Sequence, residues 1–84
     1  MIYNISFKKS VAKDLKKIDR SKADRILKKL TTDLSVKADQ LPELRGRFAG
    51  LRKYRVGNYR VIYTIIDDSV LILRIQHRKD VYKN

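Results

Sequence analysis

Cysteine is absent from this chain, which excludes disulfides and thiolate metal sites. Histidine occurs once, as His77, so no reaction that shuttles a proton between two imidazoles is open to it. Glycine is scarce, with 3 residues, and none sits in a glycine-rich phosphate loop. No apolar run approaches the ~18 residues that a membrane span needs. The N-terminus, Met1 to Phe7, lacks the charged lead and apolar stretch of a signal peptide, so a cytoplasmic protein without membrane contacts is expected. Acidic residues are the most telling shortage: 9 stand against 21 Lys plus Arg, a formal net charge of +12. Such self-repulsion favours a polyanionic partner, either nucleic acid, an anionic membrane or an acidic protein. At 84 residues and 43% hydrophobic content, the chain makes one domain, residues 1–84, around one modest core.

What is present centres on Leu51 to Tyr63, where alternating residues flank Gly57-Asn58. A two-residue Gly/Asn insert between alternating runs signals a β-hairpin with a tight primed turn. Pairing outward from it sets Val56 opposite Tyr59, Arg55 opposite Arg60, and Lys53 opposite Ile62. One face then carries Tyr54, Val56, Tyr59, Val61, Tyr63 and Ile65 and reads as core. The other gathers Lys53, Arg55 and Arg60. Like charges in cross-strand register cost stability. Folding does not ask for them, so an anionic ligand is sought.

Elsewhere the chain reads simply. Ile2 to Phe7 alternates and predicts a strand. Val11, Leu15 and Ile18 predict an amphipathic helix over Lys8 to Arg20. Ser21 and Asp24 resemble a capping box for a second helix, Lys22 to about Val36, with Ala23, Ile26, Leu27, Leu30 and Leu34 on one stripe. The remaining helix acids read as surface balance. Ala38 to Gly50 has no period and holds the single proline, so it reads as a crossing loop pinned by Leu41, Leu44 and Phe48. Its Arg45 and Arg47, with Arg52, extend the basic surface and are candidates for nucleic-acid contact.

Two registers fit the strand after Ile66-Asp67-Asp68-Ser69-Val70. A two-residue turn puts Arg74 on the apolar face. A three-residue turn puts Leu71, Leu73 and Ile75 in the core, Arg74 outside and Gln76 opposite Arg60. Burying an unpaired arginine is costly, so the second is expected. It also brings Arg78 to the cationic face, while His77 leans to the core side unless a bend turns it out. The expected fold is α+β: an N-terminal strand, a helical hairpin, then a three-stranded antiparallel meander, with helices on one sheet face and a basic open face.

The available chemistry is a cluster of cations, Lys53, Arg55, Arg60 and Arg78 with Lys79 nearby, and Tyr82 close by. Guanidinium forks hold phosphate oxygens bidentately and stabilise the added charge of a pentacoordinate phosphorus. A tyrosine beside such a patch stacks a base. In RNA the 2′-hydroxyl is a built-in nucleophile, so neither metal nor cofactor is called for. These residues alone fit a site that binds nucleic acid as well as one that cuts it.

The stretch Lys53-Tyr-Arg-Val-Gly-Asn-Tyr-Arg-Val-Ile-Tyr63, followed by Ile75-Gln-His-Arg-Lys-Asp-Val-Tyr82, resembles the RelE/ParE superfamily of toxins, and the terminal His-Arg and Tyr favour its RelE branch. The resemblance implies the toxin of a type II toxin–antitoxin system: a metal-independent endoribonuclease, an mRNA interferase that cuts mRNA in the ribosomal A site by 2′-hydroxyl attack and so inhibits translation. It implies three partners: the ribosome, mRNA and a RelB-like antitoxin, which the +12 charge suggests is acidic. By the same resemblance Lys53 matches a general base or charge stabiliser, and Arg60 an arginine on the scissile phosphate. Arg78 matches an arginine that steadies the transition state or the leaving oxygen, and Tyr82 a tyrosine that stacks on a base. Arg55, His77 and Lys79 are further candidates for catalysis or RNA binding. Leu51 stands where some members carry a second lysine. The alternatives are a ParE-like inhibitor of DNA gyrase and a basic RNA- or ribosome-binding module without catalysis.

Overall fold

The computed structural model describes residues 2–81, without the side chains of Arg47, Asp80 and Val81. Strand β1 (Asn4–Phe7) leads into helices α1 (Lys9–Lys16) and α2 (Arg20–Lys37). Two 3-10 turns carry the chain to β2 (Leu51–Val56), β3 (Tyr59–Ile66) and β4 (Ser69–His77), and a single turn of helix, α3 (Arg78–Val81), follows. The four strands form one sheet in the order β1-β4-β3-β2. β1 runs parallel to β4, and the other two pairings are antiparallel.

The expected α+β layout is present. Ala23, Ile26, Leu30 and Leu34 recur at helical spacing along α2 and are all buried, so one stripe of that helix lies on the sheet. They meet Tyr54, Val56, Val61, Tyr63, Val70, Ile72 and Ile75 from β2, β3 and β4. Each fully buried aliphatic side chain contributes about 2 kcal/mol relative to exposure. The two buried phenols are satisfied: Tyr63 donates to the Ala38 carbonyl at 2.6 Å, and Tyr54 donates to the Asp33 carboxylate. Burial pushes the Tyr63 hydroxyl up to about 12. Burial, joined by the Asp33 hydrogen bond, raises that of Tyr54.

The β2–β3 hairpin has the expected register throughout, from Val56 opposite Tyr59 to Arg52 opposite Tyr63. Gly57 takes φ 58 while Asn58 stays at negative φ, the sign pattern of a II′ turn. The next hairpin differs from expectation. Its turn has two residues, Asp67-Asp68, with Ile66 opposite Ser69, and Asp67 sits at φ 56, where aspartate is among the tolerated side chains. Val70 and Ile72 are therefore buried, and Leu71 and Leu73 are not. The register then shifts between Ile62 and Tyr63: Tyr63 faces Ile72 while Ile62 faces Arg74, leaving Leu73 as an extra residue. This β-bulge switches β4 to the other phase, so Ile75 is buried and Gln76 faces Arg60. The rejected two-residue register holds from Ser69 to Ile72, and the expected one holds from Arg74 to His77.

Smaller corrections follow from local bonding. Helix α1 ends at Lys16, where Lys17 N–H and Ile18 N–H bond three residues back and tighten the last turn. The N-cap of α2 is Asp19, whose Oδ2 accepts a bond from the Ser21 hydroxyl at 2.6 Å, so Ser21 and Asp24 form no capping box. That bond comes first among the influences that hold the Asp19 carboxyl below its ordinary value. In the crossing loop Leu41 and Leu44 are half-buried, whereas Phe48 is 51% exposed.

Asp14 is the largest departure from the sequence reading. It is 6% exposed, far from a surface-balancing charge. β1 stops pairing at Ile72, so β4 beyond that point has an open edge, and α1 covers it. Lys8 N–H bonds to Ile72 O at 2.9 Å, and the Ser10 hydroxyl to Leu73 O at 2.7 Å. Ile75 N–H donates to Asp14 Oδ2 at 2.9 Å. Asp14 thus takes the place of a neighbouring strand's carbonyl, which removes a pairing-competent edge. Arg74 completes the arrangement with a two-pronged contact, Nε to Oδ2 at 2.9 Å and Nη2 to Oδ1 at 3.0 Å. Burial alone would raise the Asp14 carboxyl, but the Arg74 and Ile75 hydrogen bonds and the charges of Arg74 and Lys17 outweigh it and hold it below its ordinary value.

Candidate functional site

The helix-free face of the sheet carries the cations. Arg55 lies directly opposite Arg60, Lys53 is two residues along β2 opposite Ile62, and Gln76 lies opposite Arg60 on its other side. Period-two alternation puts these side chains on one face. The II′ turn fixes the β2 side of the row and the Leu73 bulge fixes the β4 side. Arg55 is exposed; Lys53, Arg60 and Gln76 are half-buried. Among the described residues, the ion pairs of Arg52 and Arg74 leave Lys53 and Arg55 with no carboxylate partner.

Strand β4 ends at His77, and Arg78 opens α3. The Arg78 N–H donates to Asn58 O at 2.8 Å, which ties the start of α3 to the β2–β3 turn. The Arg78 side chain is exposed, as is that of Lys79. His77 stays with the core side: it faces Tyr59, its ring meeting the Tyr59 ring edge-on at 5.2 Å and 86°. Its Nδ1 accepts the Lys79 N–H at 3.2 Å, so the neutral imidazole carries its proton on Nε2. The structure therefore gathers Lys53, Arg55 and Arg60 on one face and sets Arg78 and Lys79 at its turn end, with His77 on the other side of the sheet. Tyr82 lies outside the described residues, and so does the Arg47 side chain.

Arg52 does not join the cationic row. It shares the parity of Tyr54, and its guanidinium donates to Leu41 O at 2.5 Å and Asp39 O at 3.4 Å while pairing with Glu43 at 3.2 Å. Its work is to hold the crossing loop against β2, where Glu43 also bridges to Arg52 through the backbone. Arg45 is exposed on that loop, apart from the row. The sequence reading missed Gln76 as a flanking amide of the site. Its place opposite Arg60, already implied by the register, was the signal that could have found it. Among the described residues no group of His, Asp and Glu could hold a metal ion, and no helix is long and apolar enough to cross a membrane.

A basic open sheet face backed by a helical hairpin defines a class, and comparison with known proteins identifies it. Residues 5–82 match the family described as ParE toxin of type II toxin-antitoxin system, parDE, and the chain belongs to that family. Toxin RelG of Mycobacterium tuberculosis (strain ATCC 25618 / H37Rv) is 33% identical over 86 residues, spanning 99% of this chain and 99% of that protein. The toxin–antitoxin complex RelBE2 from Mycobacterium tuberculosis contains a chain of the same fold, with a TM-score of 0.85, 31% identity, and coverage of 93% of this chain and 100% of that one. The archaeal RelE–RelB complex from Pyrococcus horikoshii OT3 gives a TM-score of 0.67 at 28% identity, covering 93% and 97%. The chain is thus a type II toxin of the RelE/ParE family.

Proposed function

We propose that this toxin is a ribosome-dependent endoribonuclease that cuts mRNA in the A site and so stops translation. The observation that carries the reading is Arg55 set against Arg60, with Lys53 beside them on the helix-free face. Like charges in that register cost folding energy that a phosphodiester returns on binding. The substrate's 2′-oxygen attacks the adjacent phosphorus, the O2′–P bond forms and the P–O5′ bond breaks, leaving a 2′,3′-cyclic phosphate and a 5′-hydroxyl. Arg60 holds the non-bridging oxygens and Arg78 meets the charge that grows on the leaving oxygen. Arginine is a poor proton donor, so that oxygen takes its proton from solvent. Lys53 either accepts the 2′-hydroxyl proton or lends charge while solvent takes that proton; Lys53→Arg retains activity only in the second case.

Primer extension on ribosome-bound mRNA tests the reading: new 5′ ends within the A-site codon are expected, lost in Lys53→Ala, Arg60→Ala and Arg78→Ala. Full toxicity of all three folded variants would overturn the site. The family's description names ParE, which favours one second reading, inhibition of DNA gyrase. Intact mRNA together with accumulated gyrase–DNA cleavage complexes would establish that instead. An acidic, RelB-like antitoxin is the proposed protein partner. Relatives solved with RelB support it, as does the net charge of +12. Its binding should weaken as salt rises.

A further inference from the structure

The cationic sheet face holds only part of the charge. On α2, Lys22, Arg25 and Lys29 are exposed and line a cleft of about 360 Å³ against the β2–β3 turn, which closes on Tyr59. They recur at spacings of three and four, so they share one side of the helix. Tyr59 also lines a second cleft, of about 380 Å³, with Lys17, Arg74, Gln76 and His77. Among the described residues its acidic lining is Asp14 alone, already committed to Arg74 and Ile75 N–H. Two clefts thus meet at one half-buried aromatic ring: the first carries three exposed cations on α2, and the second, where Arg74 is paired with Asp14, carries Lys17 and reaches Gln76 opposite Arg60. Tyr59 packs one side against the core and meets His77 edge-on, and its exposed part stands between these cations. Cations beside an exposed aromatic surface form the usual platform for single-stranded nucleic acid, with phosphates on the charges and a base on the ring.

We propose that the two clefts are one RNA-binding track, distinct from the cutting face, in which Lys22, Arg25, Lys29 and Lys17 hold phosphates and Tyr59 stacks an unpaired base. The proposal rests on RNA being the toxin's ligand, and it assigns the track to binding alone. The strand it holds is either ribosomal RNA or the mRNA beyond the cut.

The test is titration of the full chain into a labelled 2′-O-methyl oligouridine, which lacks the attacking hydroxyl, so binding is read without cleavage. The variant K22Q/R25Q/K29Q should weaken binding at least tenfold and flatten the slope of log affinity against log salt by about 2, the share of three phosphate contacts on a single strand. Tyr59→Leu should weaken it roughly fivefold or more with the salt slope unchanged, and Tyr59→Phe should bind like wild type. Lys13→Gln with Lys16→Gln, exposed helix cations that line neither cleft, should change affinity no more than about twofold. Sedimentation with ribosomes names the source: loss of K22Q/R25Q/K29Q binding to empty ribosomes assigns ribosomal RNA, and loss only on programmed ones assigns the message. The proposal is overturned if wild type does not bind the oligonucleotide at low salt, or if K22Q/R25Q/K29Q or Tyr59→Leu binds with wild-type affinity. Oligonucleotide binding lost in these variants by a toxin that leaves mRNA whole would uphold the track and sink the cutting reading.

Discussion

The anchoring contacts at the sheet edges and the cationic row on its open face both use arginine, in different ways. At the edges, Arg74 grips the buried Asp14 carboxylate and Arg52 grips the crossing loop through Leu41 O and Glu43. In the open-face row, Arg55, on the same edge strand β2 as Arg52, is set against Arg60 of β3, with Lys53 alongside. The edge arginines have carboxylate and carbonyl partners, whereas Lys53 and Arg55 have no carboxylate partner among the described residues. The difference teaches that charge in so basic a chain is not uniform surface dressing: position relative to a carboxylate or carbonyl decides which cations hold the fold together.

The comparison breaks most visibly at Asp14. Asp14→Ala should destabilise by about 2 kcal/mol in urea unfolding, because it strands the Ile75 N–H while the half-exposed Arg74 guanidinium turns to water. Lys53→Ala should stay within about 0.5 kcal/mol of wild type. Equal losses in the two variants would erase the distinction between edge and face.

Acid should dissolve part of the same edge. The Asp14 carboxyl is held below its ordinary value, so its contribution is fully present above the unfolded carboxyl's ~3.9 and is lost as pH falls through the lower folded value. Urea midpoints of the wild type should therefore drop more steeply below about pH 4 than those of Asp14→Asn. Parallel curves would show that the carboxylate charge contributes nothing.

At the opposite edge, Arg52→Ala should cost about 1 kcal/mol and quicken proteolysis within the crossing loop, since the residue is partly solvated and its bonds are to carbonyls and one exposed glutamate. The smallest expected effect has the opposite sign. Arg55→Thr removes a like-charge opposition and installs a good strand former, so a gain of about 0.5 kcal/mol is expected alongside reduced toxicity. A stability loss there would mean that Arg55 belongs with the folding arginines.

Much of this arrangement was legible in the sequence because it is local. The Gly57-Asn58 turn carries its own register, and the stripe from Ala23 to Leu34 needs no partner to be recognised. The row of Lys53, Arg55 and Arg60 follows from that turn alone. The β4 phase was only half legible, since alternation cannot encode an inserted residue and Asp67-Asp68 lacks the glycine that usually marks a two-residue turn. The parallel pairing of β1 with β4 joins segments over sixty residues apart and leaves no mark on four residues. Asp14 went unread for a related reason. Its spacing from Val11 places it on the apolar stripe of α1, but the arginine and the open strand edge that justify it arrive late in the chain.

The Leu73 bulge gives β4 two masters. Residues before it bury Val70 and Ile72, while residues after it bury Ile75 and set Gln76 beside Arg60 on the cationic face. An uninterrupted strand after the same two-residue turn would bury Arg74 and turn Ile75 outward. One spare residue lets a single strand serve both the hydrophobic core and the cationic face.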